Sequence, residues 1–257
     1  MKIQSYFPSF ALRPYIQKYL IIETENGIEN RILPNPHLVL SFQLQGNLRS
    51  LESNTLYDLP RMGIAGFRKT VRKIIYPQNS SALLVIFTEI GATAFFKEPI
   101  SDFYEKTISL ENLISNSMYR EMEEKLFESQ SSRDCINLIE NFLLHIQRQK
   151  QIDPILRQTL VKIQNANGNI KMKALKQGLP ISLDSLEKKC KEMVGTTLKH
   201  YANIIRIRSA ITSYSPTTSL TDLAYNAGYF DQSHFNKDFK LYTGESPKVF
   251  FQNPQNW

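Results

Sequence analysis

Residues 219–244 read SLTDLAYNAGYFDQSHFNKDFKLYTG, and this stretch decides how the C-terminal part of the chain folds. Ser219 followed three residues later by Asp222 is a capping-box-like helix start, with a shorter acid than the usual glutamate. The helix it opens buries Leu220, Leu223, Ala224 and Ala227, and the two alanines leave room for a second helix to cross closely. Gly228 supplies the permissive backbone of a tight turn. A new helix follows from about Gln232, with Phe235 and Phe239 inward and Gln232, Ser233, Asn236, Lys237 and Lys240 on its other faces. Gly244 closes it. Ser246-Pro247 then opens a further helix with an N-cap and a first-turn proline. Helix, glycine turn, helix predicts a helix-turn-helix.

The pattern occurs twice. Shifting the chain by 49 positions lays Leu186, Cys190, Lys191 and Gly195 on Phe235, Phe239, Lys240 and Gly244, then Thr197, Lys199 and Tyr201 on Ser246, Lys248 and Phe250. A period of this size marks a supersecondary unit used more than once. Between the copies, Leu198 to Tyr214 reads as a long helix; about 17 residues at 1.5 Å each span ~26 Å. Upstream, Asp153-Pro154 starts a helix carrying Ile155, Leu156, Leu160 and Ile163, which Gly168 ends. The charge follows the repeat. Residues 153–257 hold 14 Lys and Arg against 8 Asp and Glu, a net of +6, while residues 1–152 hold the other 17 and 16, a net of +1. A basic excess confined to a helical repeat suits phosphate neutralisation.

The first half is of another kind. Leu38 to Gln45 alternates apolar and polar residues up to Gly46 and reads as a half-buried strand. Ala82 to Phe87 is a continuous apolar run, a strand covered on both faces. Arg68 to Tyr76, rich in Thr, Val and Ile, is expected to pair nearby. Leu33–Pro36, Gln45–Asn47 and Pro77–Ser80 read as turns between these segments. Helical spacing begins at about Asn112, and Ile136, Ile139, Leu143 and Ile146 form one stripe with Glu140, Gln147 and Arg148 off it. The stripe is read as covering its own β-body, with a dimer seam as the alternative. The expected class is therefore α+β: a β-rich, barrel-like domain with a helical tail over 1–150, and an all-α domain with two helix-turn-helix units over 151–257.

Composition bounds the rest. At 257 residues, 42% hydrophobic and 21% charged, the chain suits two soluble domains. No run of 18 apolar residues offers a membrane span. Prolines and basic residues break the first 22 positions, which argues against a signal peptide and for a cytoplasmic location. Cys135 and Cys190 sit at helical apolar positions and read as buried thiols. His37, His145, His200 and His234 lack metal-ligand spacing, and no nucleophile elbow, P-loop or dinucleotide fingerprint occurs. Neither an enzyme nor a cofactor is expected.

The run Leu223-Ala224-x3-Gly228-Tyr229-x-Asp231-Gln232-Ser233-His234-Phe235-x3-Phe239-Lys240-x3-Gly244-x-Ser246-Pro247 resembles the C-terminal signature of AraC/XylS-type transcriptional regulators over about 25 positions. The resemblance implies a double helix-turn-helix that binds double-stranded DNA in two successive major-groove segments. It places base-reading candidates at Lys188, Gln232, Ser233, Asn236 and Lys237, where Gln and Asn can pair with adenine and Lys with guanine. Lys189, Lys191, Lys199, Lys240 and Lys248 suit phosphate contacts, although any single lysine reads equally well as a solvated charge. Leu223, Ala224, Ala227, Gly228, Phe235 and Phe239 are the packing set.

The first unit departs from this pattern. The usual small residue falls on Lys176 and the usual turn glycine on Pro180, with Gly178 two residues early. Asp184 and Glu187 could accept from cytosine N4, or could simply favour the helix N-terminus and an Asp184–Lys188 pair. Residues 33–42, 66–68, 83–87 with 91–92, 99–102 and 110–113 are more loosely similar to a cupin-like sensory or dimerising module often joined to such domains. The resemblance further implies RNA polymerase and a small-molecule effector as partners, no membrane, and a monomer or homodimer. An alternative reading is an interaction module whose altered first unit leaves only non-specific, salt-driven DNA affinity. A third is a metal-dependent barrel enzyme with a DNA-binding tail.

Overall fold

The structure is a computed structural model that describes residues 1–148 and 153–252. Its N-terminal body is an antiparallel sheet of β1 (Lys2–Tyr6), β2 (Ile16–Ile32), β3 (Val39–Gln45), β4 (Arg49–Glu52), β5 (Thr55–Asp58), β6 (Met62–Ala65), β7 (Arg72–Phe87) and β8 (Thr107–Ser109). The strand order is β1-β2-β7-β3-β6-β8, with the β4–β5 hairpin added on β7. The long strands β2 and β7 pair from Ile16↔Phe87 to Ile32↔Arg72. The second half of β7 also pairs with β3, and its first half with β4. One ribbon thus belongs to both walls of a curled, barrel-like body.

Of the segment Arg68–Tyr76, expected as one strand, residues 72–76 belong to β7, as does all of Ala82–Phe87, expected as another; residues 68–71 precede it. Pro77–Ser80, read as a turn, lies within it. Pro77 has no amide to donate to a ladder. Opposite this point β2 carries Gly27 at φ +67, and β7 itself reaches φ +51 at Asn79. Ser80 Oγ donates to the Pro77 carbonyl at 2.7 Å. The turn chemistry is real, but pairing on both flanks converts it into a bend. The expected strand at 38–45 is β3, ended by Gly46 at φ +79.

Helices α1 (Asn116–Glu128) and α2 (Ser132–Ile146) close the body. Ile139 and Leu143 are fully buried and join the same core as Tyr19, Phe42 and Phe87, so the α2 stripe covers its own sheet. Glu140 is less free than its position off the stripe suggests: it accepts from Tyr19 Oη at 3.0 Å and from the Ser9 amide at 2.8 Å.

The C-terminal region contains α3 (Pro154–Asn165), α4 (Met172–Leu175), α5 (Leu183–Val194), α6 (Leu198–Ser213), α7 (Leu220–Asn226), α8 (Gln232–Thr243) and α9 (Pro247–Gln252). The expected domain boundary at 150/151 lies outside the described residues. The two regions share one continuous apolar core, which runs from Leu12 to Phe250. Among the described residues, no helix is long and apolar enough to cross a membrane.

Candidate nucleic-acid interface

Both copies of the repeat form the same local structure. Leu186 and Cys190 on α5, like Phe235 and Phe239 on α8, are at most 1% exposed. Gly195 and Gly244 end these helices in the left-handed region, at φ +94 and +80. Thr197 then caps α6 through the His200 amide. Burial pushes the Cys190 thiol well above its ordinary pKa, leaving it neutral and inert.

The second unit follows its sequence closely. Ser219 Oγ accepts from the Asp222 amide at 3.0 Å and donates to the Asp222 carboxylate at 2.6 Å, a complete local cap for α7. Leu223 and Ala224 are buried, whereas Leu220, Ala227 and Gly228 are half-buried. Gly228 has φ +77, and a Cβ there would stand 2.2 Å from the Asn169 side chain, which would have to move aside. Asp231 caps α8 through the His234 amide at 2.7 Å. Arg206 of α6 lies over the Tyr229 ring at 4.0 Å and pairs with Asp238 at 3.3 Å, fastening the unit to the central helix. The sequence motif gives no sign of this clamp, because Arg206 lies outside it.

The first unit is reduced. Helix α4 has four residues, and its turn uses Gly178 at φ +76. Glu187 accepts from the Leu198 amide at 3.2 Å, so it serves the start of α6 rather than standing free for a base. Lys189, a phosphate candidate, is half-buried and ion-paired with Asp153, the residue that caps α3. No ion pair joins Asp184 to Lys188 among the described residues. Lys188, Lys191, Lys199, Ser233, Lys237, Lys240 and Lys248 are exposed; Gln232 and Asn236 are half-buried. Gln232, Ser233, Asn236 and Lys237 lie together in the first two turns of α8, whose N-terminal end favours an anion. Phe230 is 87% exposed just before the Asp231 cap. The signature assigns nothing to that position, and the residue escaped the sequence reading.

Both units are gripped by the body at the C-terminal ends of α5 and α8. A Cβ on Gly195 would stand 2.8 Å from the Ile100 side chain. The Pro34 carbonyl accepts from Tyr242 Oη at 2.5 Å and from Arg208 Nη1 at 3.3 Å. Arg31 pairs with Glu245 at 2.5 Å. Gln164 bridges Glu89 and Tyr201. His37 and His200 lie in this interface. Burial holds both below the ordinary histidine pKa; Arg208 and Lys18 add to this at His37 and Lys69 at His200, while Glu89 and Glu105 respectively oppose it. The folded state therefore binds fewer protons than the unfolded chain. Their contribution is fully present above the ordinary pKa of about 6.5 and is lost as pH falls below it. The melting temperature should drop between pH 7.5 and 5.5, and His200→Asn should flatten that slope; an unchanged slope would show that His200 is not held neutral. Among the described residues, no three His, Cys, Asp or Glu side chains are placed to hold a metal.

Two family descriptions match the sequence: a helix-turn-helix domain over residues 177–253 and a domain of unknown function (DUF6597) over residues 4–109. No curated protein matches. Among solved structures, ToxT from Vibrio cholerae is 11% identical over 98% of each chain, with a TM-score of 0.48. Wild-type ToxT with a bound unsaturated fatty acid is 13% identical, covering 90% of this chain and 94% of that one at a TM-score of 0.46. The C-terminal domain of AraT, a response regulator from Geobacillus stearothermophilus, is 24% identical over 40% of this chain and 88% of its own, with a TM-score of 0.37. Over residues 177–253, where the paired, glycine-terminated helix units lie, the chain carries a helix-turn-helix domain.

Proposed function

We propose that the chain reads two successive major-groove segments of duplex DNA, with α8 as the main base reader and the first unit chiefly a phosphate grip. The observation that carries this reading is the gathering of Gln232, Ser233, Asn236 and Lys237 in the first two turns of α8, beside exposed Lys240. Lys191, Lys199, Lys240 and Lys248 supply phosphate contacts, which position the protein without specifying sequence. Lys188 is the base-reading candidate of the first unit. Lys189 would first have to leave Asp153. The asymmetry is supported by the short α4 and by the internal engagement of Glu187 and Lys189. Phe230 is suited to an apolar contact with a thymine methyl group. A polymerase, an effector or a second copy acting on the body would be felt at the DNA through the contacts at Pro34, Arg31 and Ile100.

Selection of bound sequences from a random duplex library at two salt concentrations tests the reading. Two boxes about one helical turn apart support it. A single box would restrict base reading to α8. Absence of any motif, with binding lost steeply as salt rises, would mark an interaction module instead. Within the reading, Lys237→Ala is expected to weaken the selected site by roughly 5- to 150-fold, the range of a lost base contact, and random DNA far less. Equal losses on both would make Lys237 a phosphate contact.

A further inference from the structure

Gln and Asn on a recognition helix ordinarily suggest adenine, because a carboxamide can accept from N6 while donating to N7. That pairing needs the side-chain oxygen and nitrogen to face the base together. The structure engages one of these oxygens with a neighbouring hydroxyl and buries the other. Thr221, in the first turn of α7, donates its hydroxyl to Gln232 Oε1 at 2.9 Å. This donor is held in place, since the Ser219–Asp222 cap fixes the turn it stands on and Leu223 and Ala224 anchor its helix in the core. The oxygen of Gln232 therefore faces α7 and its NH₂ group faces outward. Four residues on, Asn236 Oδ1 is buried with no hydrogen-bond partner, which turns the second amide the same way. Lys237, beside it, is a donor only.

We propose that Gln232, Asn236 and Lys237 together present donors and so read acceptor edges, foremost the O6 and N7 of guanine, with Thr221 as the positioning residue that fixes the orientation of Gln232. This rests on the reading of α8 as a base-reading helix. The oxygen of an outward-facing amide would accept from adenine N6 or cytosine N4; an inward-facing one cannot. Discrimination against those bases then depends on Thr221 through its hold on Gln232.

The test is duplex-library selection with the whole chain and four variants. Gln232→Ala identifies the base position that depends on Gln232. At that position the wild type is expected to select guanine over adenine. Thr221→Val, which keeps the shape and removes the hydroxyl, should reduce the guanine-to-adenine ratio by about 5- to 10-fold at that position alone. Thr221→Ser should restore it. Thermal melting of each variant reports whether the fold is retained, and binding to random duplex whether the phosphate grip is. Wild-type selection of adenine or cytosine at this position, or an unchanged ratio in Thr221→Val, overturns the proposal while leaving base reading by α8 intact. If Gln232→Ala and Asn236→Ala alter no position, base reading by α8 itself fails and the proposal falls with it.

Discussion

Replacing Ala224 with leucine is expected to destabilise the protein by about 1–3 kcal/mol through overpacking and to abolish the base preference proposed for α8. Ala224 is 1% exposed on α7, and its carbonyl accepts from the Tyr229 amide at the turn into α8. A larger side chain cannot enter without moving α7 away from α6 or α8, and protein interiors do not yield by small compression. The start of α8, with Gln232 and Ser233, would move with it. Denaturant melting and binding to the selected site check both parts. Retention of wild-type stability and affinity would rule out a close helix crossing at Ala224.

Gly195→Val should be at least as severe, and for two separable reasons. The backbone at Gly195 has φ +94, a region costly to a β-branched residue, and a Cβ there would stand 2.8 Å from the Ile100 side chain and 2.9 Å from its carbonyl oxygen. Strain of about 1–2 kcal/mol and a steric term of about 1–3 kcal/mol together predict a loss of roughly 2–5 kcal/mol. Gly178→Val is the internal comparison. Its φ is +76, but nothing lies within 4 Å of the added Cβ, so only the strain applies. Equal losses for the two variants in urea melts would mean that the first unit does not rest on Ile100. A larger loss at Gly195, with weaker DNA binding, is the result expected if the body holds the C-terminal end of α5.

These two glycines also show where the sequence was legible. Several helix ends in the repeated region are written in a few adjacent residues: Ser182, Thr197, Ser219 and Asp231 cap their helices through side-chain oxygens, and Gly195 and Gly244 end theirs. Periodicity located Leu186, Phe235 and Phe239 in the core for the same reason, since a helix brings residues four apart to one face. Lys189 shows the limit. Exposed and ion-paired lysines look alike in a chain, and its partner Asp153 is 36 residues away. Arg206 was missed likewise, its partner Asp238 lying 32 residues on.

The sequence by itself determined the α+β division, the duplicated helix-turn-helix, the placement of basic charge in the C-terminal region and the set of side chains on the first turns of α8. All of these depend on local propensity, capping and turn chemistry. Tertiary structure decided that Pro77–Ser80 is a bend within β7, because β2 pairs on both sides of it. It also set the outward direction of the Gln232 and Asn236 amides, and it seated the units on the body through Arg31–Glu245 and Tyr242–Pro34, more than 200 residues apart in sequence. Such contacts exist only once the chain has closed on itself, and no local pattern encodes which distant partner a side chain will meet.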